Sequence, residues 1–194
     1  MRLERRREGG LRAAEGGGEP SGRTVARRLA RVALVAAAYF ALTVVLGPLG
    51  YGPVQLRVSE ALTLLPVRMA EAPLGLWAGC MLANLAGGLG PWDIFGGSAV
   101  TLLAALLTRR LRGSWLAFLP PILLNGLLVP AYLSPLYHVP YLPTAAAITA
   151  SEAVVVVLFG GALLIGLRRL PASLLEEGGQ RAPVRGRQEE GRGR

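Results

Sequence analysis

The chain has 194 residues, 52% of them hydrophobic, and a formal charge of +9 from 21 basic and 12 acidic side chains. All the basic residues are arginine, so a phosphate-binding G-x-x-x-x-G-K-[ST] loop is excluded and the chain does not hydrolyse ATP by that route. One cysteine, Cys80, and one histidine, His138, exclude an internal disulfide and leave no metal-ligand set.

Mean hydropathy is +0.44, high for a soluble domain of this length. Between Leu29 and Leu167 the only acids are Glu60, Glu71, Asp93 and Glu152. Apolar runs recur there at close to the roughly 20 residues that a helix needs to cross about 30 Å of hydrocarbon. Period-2 alternation, the mark of a membrane β-barrel, is absent. The reading is an all-α integral membrane protein. Nucleic-acid binding does not suit it, because the arginines flank apolar spans instead of lining one face of a domain.

Residues 1–27 are rich in Arg, Glu and Gly, with too few bulky apolar side chains to offset the entropy of folding, and are expected to be disordered. Residues 171–194 read the same way. The membrane domain is expected over 28–170. Its first span, about 29–47, is read as a retained helix, since further spans follow it. It carries Ala33, Ala37 and Ala41 at i, i+4 spacing, after Ala26 and Ala30. Such small residues make a flat face on which a second helix packs closely, so they are candidates for docking a membrane partner.

The second span, about 58–70, is short and contains Pro66, which points to a tilted, kinked or re-entrant segment. Arg57 and Glu60 open it. The third, about 73–89, carries Asn84. The fourth, about 93–110, follows Trp92 and begins at Asp93. The fifth, about 115–134, carries Asn125, and the sixth, about 144–167, carries Glu152. Eight residues into its span, at 1.5 Å each, Glu152 lies roughly 12 Å deep.

Arginine placement sets the orientation. With six spans and both termini cytoplasmic, Arg27, Arg28, Arg31, Arg68, Arg109, Arg110, Arg112, Arg168 and Arg169 all fall inside, as the positive-inside rule requires. Arg57 alone falls outside. It is either a stray outer-loop arginine or, with Glu60, the mark of the rim of an outer solute site.

Ionisable and amide side chains inside a membrane are costly and are functional candidates. Arg57, Glu60, Asn84, Trp92, Asp93, Asn125 and Glu152 fall in the outer half of the bundle. Carboxylates, amides, an arginine and an aromatic face suit a small polar heterocycle. In guanine, for example, one carboxylate bridges the ring N–H and the exocyclic amine. The structural alternatives are helix–helix hydrogen bonds for Asn84, Asn125 and Glu152, an N-cap for Asp93, and an interfacial aromatic for Trp92. Ser98 in "GGSA" lacks a histidine within the bundle to activate it, which argues against an intramembrane protease.

The segments "GPVQLRVSEALTLLP", "GLWAGCMLANLAGGLGPWDIFGGSAVTLLAALLTRRLR" and "LPPILLNGLLV" closely resemble the QueT family. The order R-x-S-E-A-L-T-x-L-P, G-C-x-x-A-N, D-I-x-x-G-S carries the resemblance, which extends over roughly residues 30–168. It implies a six-helix S component of an energy-coupling factor (ECF) transporter. Such a subunit binds a queuosine precursor, a 7-deazaguanine such as preQ1 or preQ0, and works in the cell membrane with a transmembrane T subunit and two ATPase subunits. Arg57, Ser59, Glu60, Asn84, Trp92, Asp93, Ser98 and Asn125 match its motifs, and Glu152 matches more loosely. It implies no catalytic residue and no cofactor. Two other readings stay open: an S component for another vitamin-like solute, and a stand-alone ion-coupled carrier using Glu60 and Glu152.

Overall fold

The computed structural model describes residues 22–47 and 56–170. Residues 1–21 and 171–194 of the expected tails, and residues 48–55, lie outside the described residues.

Six helical elements follow one another, and no strand occurs among the described residues. Helix α1 is Gly22–Val45. It begins before the expected span and takes in residues 22–27, because Ala and Arg are strong helix formers and the arginine heads can stay in headgroup water. Only one stripe of it is buried: Val35, Ala36, Tyr39 and Thr43. That stripe packs on α3, Ala72–Ala86. Two glycines one turn apart permit the contact. A Cβ at Gly75 would lie 2.7 Å from Val35 Cβ, and one at Gly79 would lie 2.7 Å from the Ala36 carbonyl oxygen.

Between them, α2, Val58–Val67, is a 3-10 helix and not the α-helix expected over 58–70. Pro66 removes a backbone donor near its end, and the Arg68 N–H closes the last turn on the Leu65 carbonyl at 2.9 Å. Ten residues at about 2.0 Å each give roughly 20 Å, too short to cross hydrocarbon. Ser59, Glu60, Ala61, Thr63, Leu64, Leu65 and Pro66 are all buried, as expected of a segment enclosed on every side.

Helix α3 stops at Ala86, where Gly87 and Gly88 follow and Gly88 takes a positive φ of 67°. Helix α4, Ser98–Arg110, continues directly from a π-helical turn, Trp92–Gly97. Helix α5 runs Trp115–Tyr137; its first turn is capped by Ser114, whose hydroxyl accepts from Leu116 N–H at 3.2 Å. Pro130 and Pro135 lie inside it, and it ends at His138 with φ 55°. Helix α6, Tyr141–Arg168, contains a second π turn, Val155–Gly160. Three helices, α1, α5 and α6, are long and apolar enough to span a membrane.

The exterior is apolar. Leu34, Val45, Leu85, Phe95, Leu142 and Leu158 are all more than 60% exposed, which in water would be a large unpaid cost and in lipid is none. Trp92 and Trp115, at opposite ends of the α4–α5 hairpin, are exposed as interfacial aromatics are. Inside, one apolar cluster joins Val35, Tyr39, Leu65, Leu76 and Cys80, and another joins Val100, Val129, Leu133 and Ile148. At the end where α1 begins, Arg31 pairs with Glu71 at 3.4 Å. The Arg31 end of α1 and the α2–α3 turn therefore share one end of the bundle, and Arg57 opens α2 towards the other.

Candidate functional site

The polar side chains converge on one cleft. It is lined by Arg57, Glu60, Gly97, Thr101, Asn125, Val129, Tyr132, Ile148 and Glu152, and holds about 290 Å³ of space including its open mouth. Its enclosed part is only about 10 Å³, room for one water, so the lining side chains have to move apart to admit a larger solute.

Local geometry explains how α2 serves it. Arg57 precedes the helix in extended conformation, its carbonyl accepts from the Glu60 N–H at 2.9 Å, and this first turn brings both side chains to the cleft. The Glu60 carboxylate accepts from Tyr39 Oη on α1 and, at 3.3 Å, from Asn125 Nδ2 on α5. The Tyr39 carbonyl accepts in turn from Thr43 Oγ1 at 2.9 Å, and that hydroxyl lies 2.7 Å from Ser59 Oγ. A carboxylate has about four acceptor positions, so Glu60 keeps two for a ligand.

Glu152 reaches the cleft from α6, 5% exposed, with Oε2 unpartnered. Asn125 bridges towards it as well as towards Glu60. The close approach of α5 and α6 is made at Gly126, where a Cβ would lie 2.1 Å from Thr149 Oγ1. Nε of Arg57 is also buried without a partner. Besides the two remaining acceptor positions of Glu60, the cleft thus has an unpartnered donor at Arg57 Nε and an unpartnered acceptor at Glu152 Oε2.

Asp93 and Asn84 do not line the cleft but support its wall. Asp93 Oδ1 accepts from Tyr132 Oη at 3.0 Å, and the Asp93 carbonyl accepts from Asn84 Nδ2 at 2.6 Å. Asp93 sits inside the π turn, so it is no N-cap in this fold; no side-chain cap bond forms at that end. Trp92 lies outside altogether, 61% exposed, and the aromatic side chain that lines the cleft is Tyr132. Ala33, Ala37 and Ala41 are exposed on the side of α1 away from Tyr39.

Sequence reasoning missed Tyr39, Thr101 and Tyr132. The available signal was a phenol within an apolar run, where its hydroxyl has no water and must find a protein partner. The π turn that brings Gly97 to the cleft left no readable signal.

An apolar helical exterior around a buried polar cleft is the build of a multi-pass membrane transport protein. The chain belongs to the QueT transporter family, whose model matches residues 29–169. That is a family of transporters and not of enzymes. No curated protein and no solved structure matches the chain.

Proposed function

We propose that this chain is the substrate-binding S component of an ECF importer and takes up a 7-deazaguanine, preQ1 or preQ0, across the cell membrane. Its six helical segments sit with both termini cytoplasmic, α2 and α3 reaching only part of the way through the bilayer. The observation that carries the reading is the cleft's complement of donors and acceptors. Glu60 has two acceptor positions for the N–H and amine edge of the heterocycle. Arg57 Nε stands beside it to donate to a ring carbonyl, while the Asn125 amide, turned to Glu60 and Glu152, holds the two carboxylates in place. Tyr132 supplies a face for stacking. The chain has no P-loop, so the energy comes from two partner ATPases through a T subunit. The exposed Ala33, Ala37 and Ala41 face is where that subunit docks.

The test is equilibrium binding of preQ1, preQ0, guanine and a panel of vitamins to the purified protein in detergent, with Glu60→Gln alongside. Selective deazaguanine binding, lost in the variant, supports the assignment. Binding of a vitamin instead keeps the importer and removes the substrate. Uptake that persists without any ATPase makes the protein a stand-alone carrier.

A further inference from the structure

The cleft is shut. With only about 10 Å³ enclosed, part of its wall must move before a solute enters. The wall is not equally firm on all sides. Helices α1 and α3 are locked together by the close contacts at Gly75 and Gly79. Helix α2 is buried over most of its length. The π turn Trp92–Gly97 is tied to α3, because the Asn84 amide donates to the Asp93 carbonyl at 2.6 Å.

The last turns of α5 differ. Pro130 and Pro135 lie inside the helix and have no N–H, so the carbonyls of Gly126 and Ala131 lose their helical donors. Two rungs of the backbone ladder are therefore missing on either side of Tyr132, and helices bend most readily at such places. Beyond Leu133 no residue of this helix is buried, and it ends at His138 in the left-handed region. Ser134 donates to the Val139 carbonyl at 2.6 Å, which keeps the following turn with this end. Tyr141 of α6 donates at 3.2 Å to the Leu127 carbonyl, before Pro130, so α6 stays with the first part of α5.

Two side chains fasten the last turns to the opposite wall. Leu133 packs with Val100, and the Tyr132 hydroxyl donates to Asp93 Oδ1 at 3.0 Å. A Cβ at Gly97 would lie 3.1 Å from that hydroxyl, so glycine leaves it its place. We propose that residues 131–137 are the gate of the cleft, hinged at Pro130 and held shut by Tyr132 on Asp93. Asp93 is a positioning residue in this device: it acts through Tyr132, which lines the cleft, and does not line the cleft itself. A single hydrogen bond suits a latch, because breaking one bond frees the whole end. The proposal rests on the reading of the cleft as a solute site, and its test uses no solute, so the two fail separately.

Hydrogen exchange on the full-length protein in detergent reads the motion, since amides in a region that opens locally exchange through that opening. Wild type, Tyr132→Phe, Asp93→Ala and Asp93→Asn are compared. In Tyr132→Phe and Asp93→Ala, exchange over 131–137 should rise about tenfold or more, the scale of a hydrogen bond to a carboxylate, while 119–126 stays within about twofold. Asp93→Asn keeps an acceptor and should stay within about threefold of wild type. The single thiol of the chain reports access. Cys80 is buried behind Thr101, a cleft residue whose hydroxyl lies 3.5 Å from its sulfur. Its modification by a small charged thiol reagent should accelerate about tenfold in Tyr132→Phe, in step with the exchange. Unchanged exchange over 131–137 overturns the latch, and an equal rise over all six helices overturns the hinge. Faster exchange with Cys80 as slow as in wild type overturns the gate. If Asp93→Ala does not fold, Tyr132→Phe, which keeps the ring, carries the test alone.

Discussion

Tyr39, about three-quarters of the way along α1, donates its hydroxyl to the carboxylate of Glu60 on α2, twenty-one positions later in the chain. Both side chains are nearly or fully inaccessible, at 0% and 2%. The contact joins the helix with the exposed alanine stripe to the residue at the centre of the cleft. Tyr39→Phe keeps the ring and its packing but removes the donor. Losing a hydrogen bond to a charged group costs about 1.5–3 kcal/mol, so ligand affinity should fall by roughly ten- to a hundredfold. Calorimetry on the purified variant, with its size-exclusion profile as the folding control, checks this. Unchanged affinity would show that Glu60 needs no such support.

The aromatic that matters for binding should be Tyr132 and not Trp92. Tyr132→Ala removes a cleft wall and strips the partner from Asp93, with an expected loss of at least about tenfold in affinity. Trp92→Ala, outside the cleft and exposed, should stay within about threefold of wild type. Side-by-side titrations of the two variants decide it, and the reverse order would mean that the ligand sits higher than the cleft.

Gly126 sets the α5–α6 distance and thereby holds Asn125 near Glu152. Gly126→Ala forces a methyl to within 2.1 Å of Thr149 Oγ1 unless the helices part. Overpacking of this kind costs typically 1–3 kcal/mol. The expected result is a lower melting temperature and weaker binding together, partly restored by adding Thr149→Ala. Thermal unfolding in detergent for the single and double variants measures both. No recovery in the double variant would put the strain elsewhere.

The alanine stripe on α1 makes a separate prediction. Ala37→Leu and Ala41→Leu alter exposed positions, so the isolated protein should fold and bind ligand as before. On the proposed importer reading, co-purification with a T subunit and its ATPases, and uptake by cells, should drop several-fold, because leucine lifts the facing helix off a flat surface. Full uptake by both variants would move the docking face away from α1.

Much of the architecture was legible because it follows from composition and charge. The alternation of apolar runs with arginine clusters marked out six helical segments, and the acids left in the middle were few enough to draw attention. Arg57, Glu60, Asn125 and Glu152 could be named because an ionisable group or amide in an apolar run is conspicuous on its own. What the chain order alone could not decide was which of these meet. Arg57 and Glu60 both reach the cleft, and an apolar pattern of ten residues does not distinguish the 3-10 winding of α2 from an α-helix. Trp92, which opens the π turn before α4, is exposed, whereas Tyr132 on α5 lines the cleft and donates to Asp93. Tyr39 finds Glu60, and Asn125 comes near Glu152, through close contacts at Gly75, Gly79 and Gly126. Helix periodicity is a local property that a sequence displays directly. Contacts between distant residues depend on how whole faces fit, and that is settled only when every helix is packed at once.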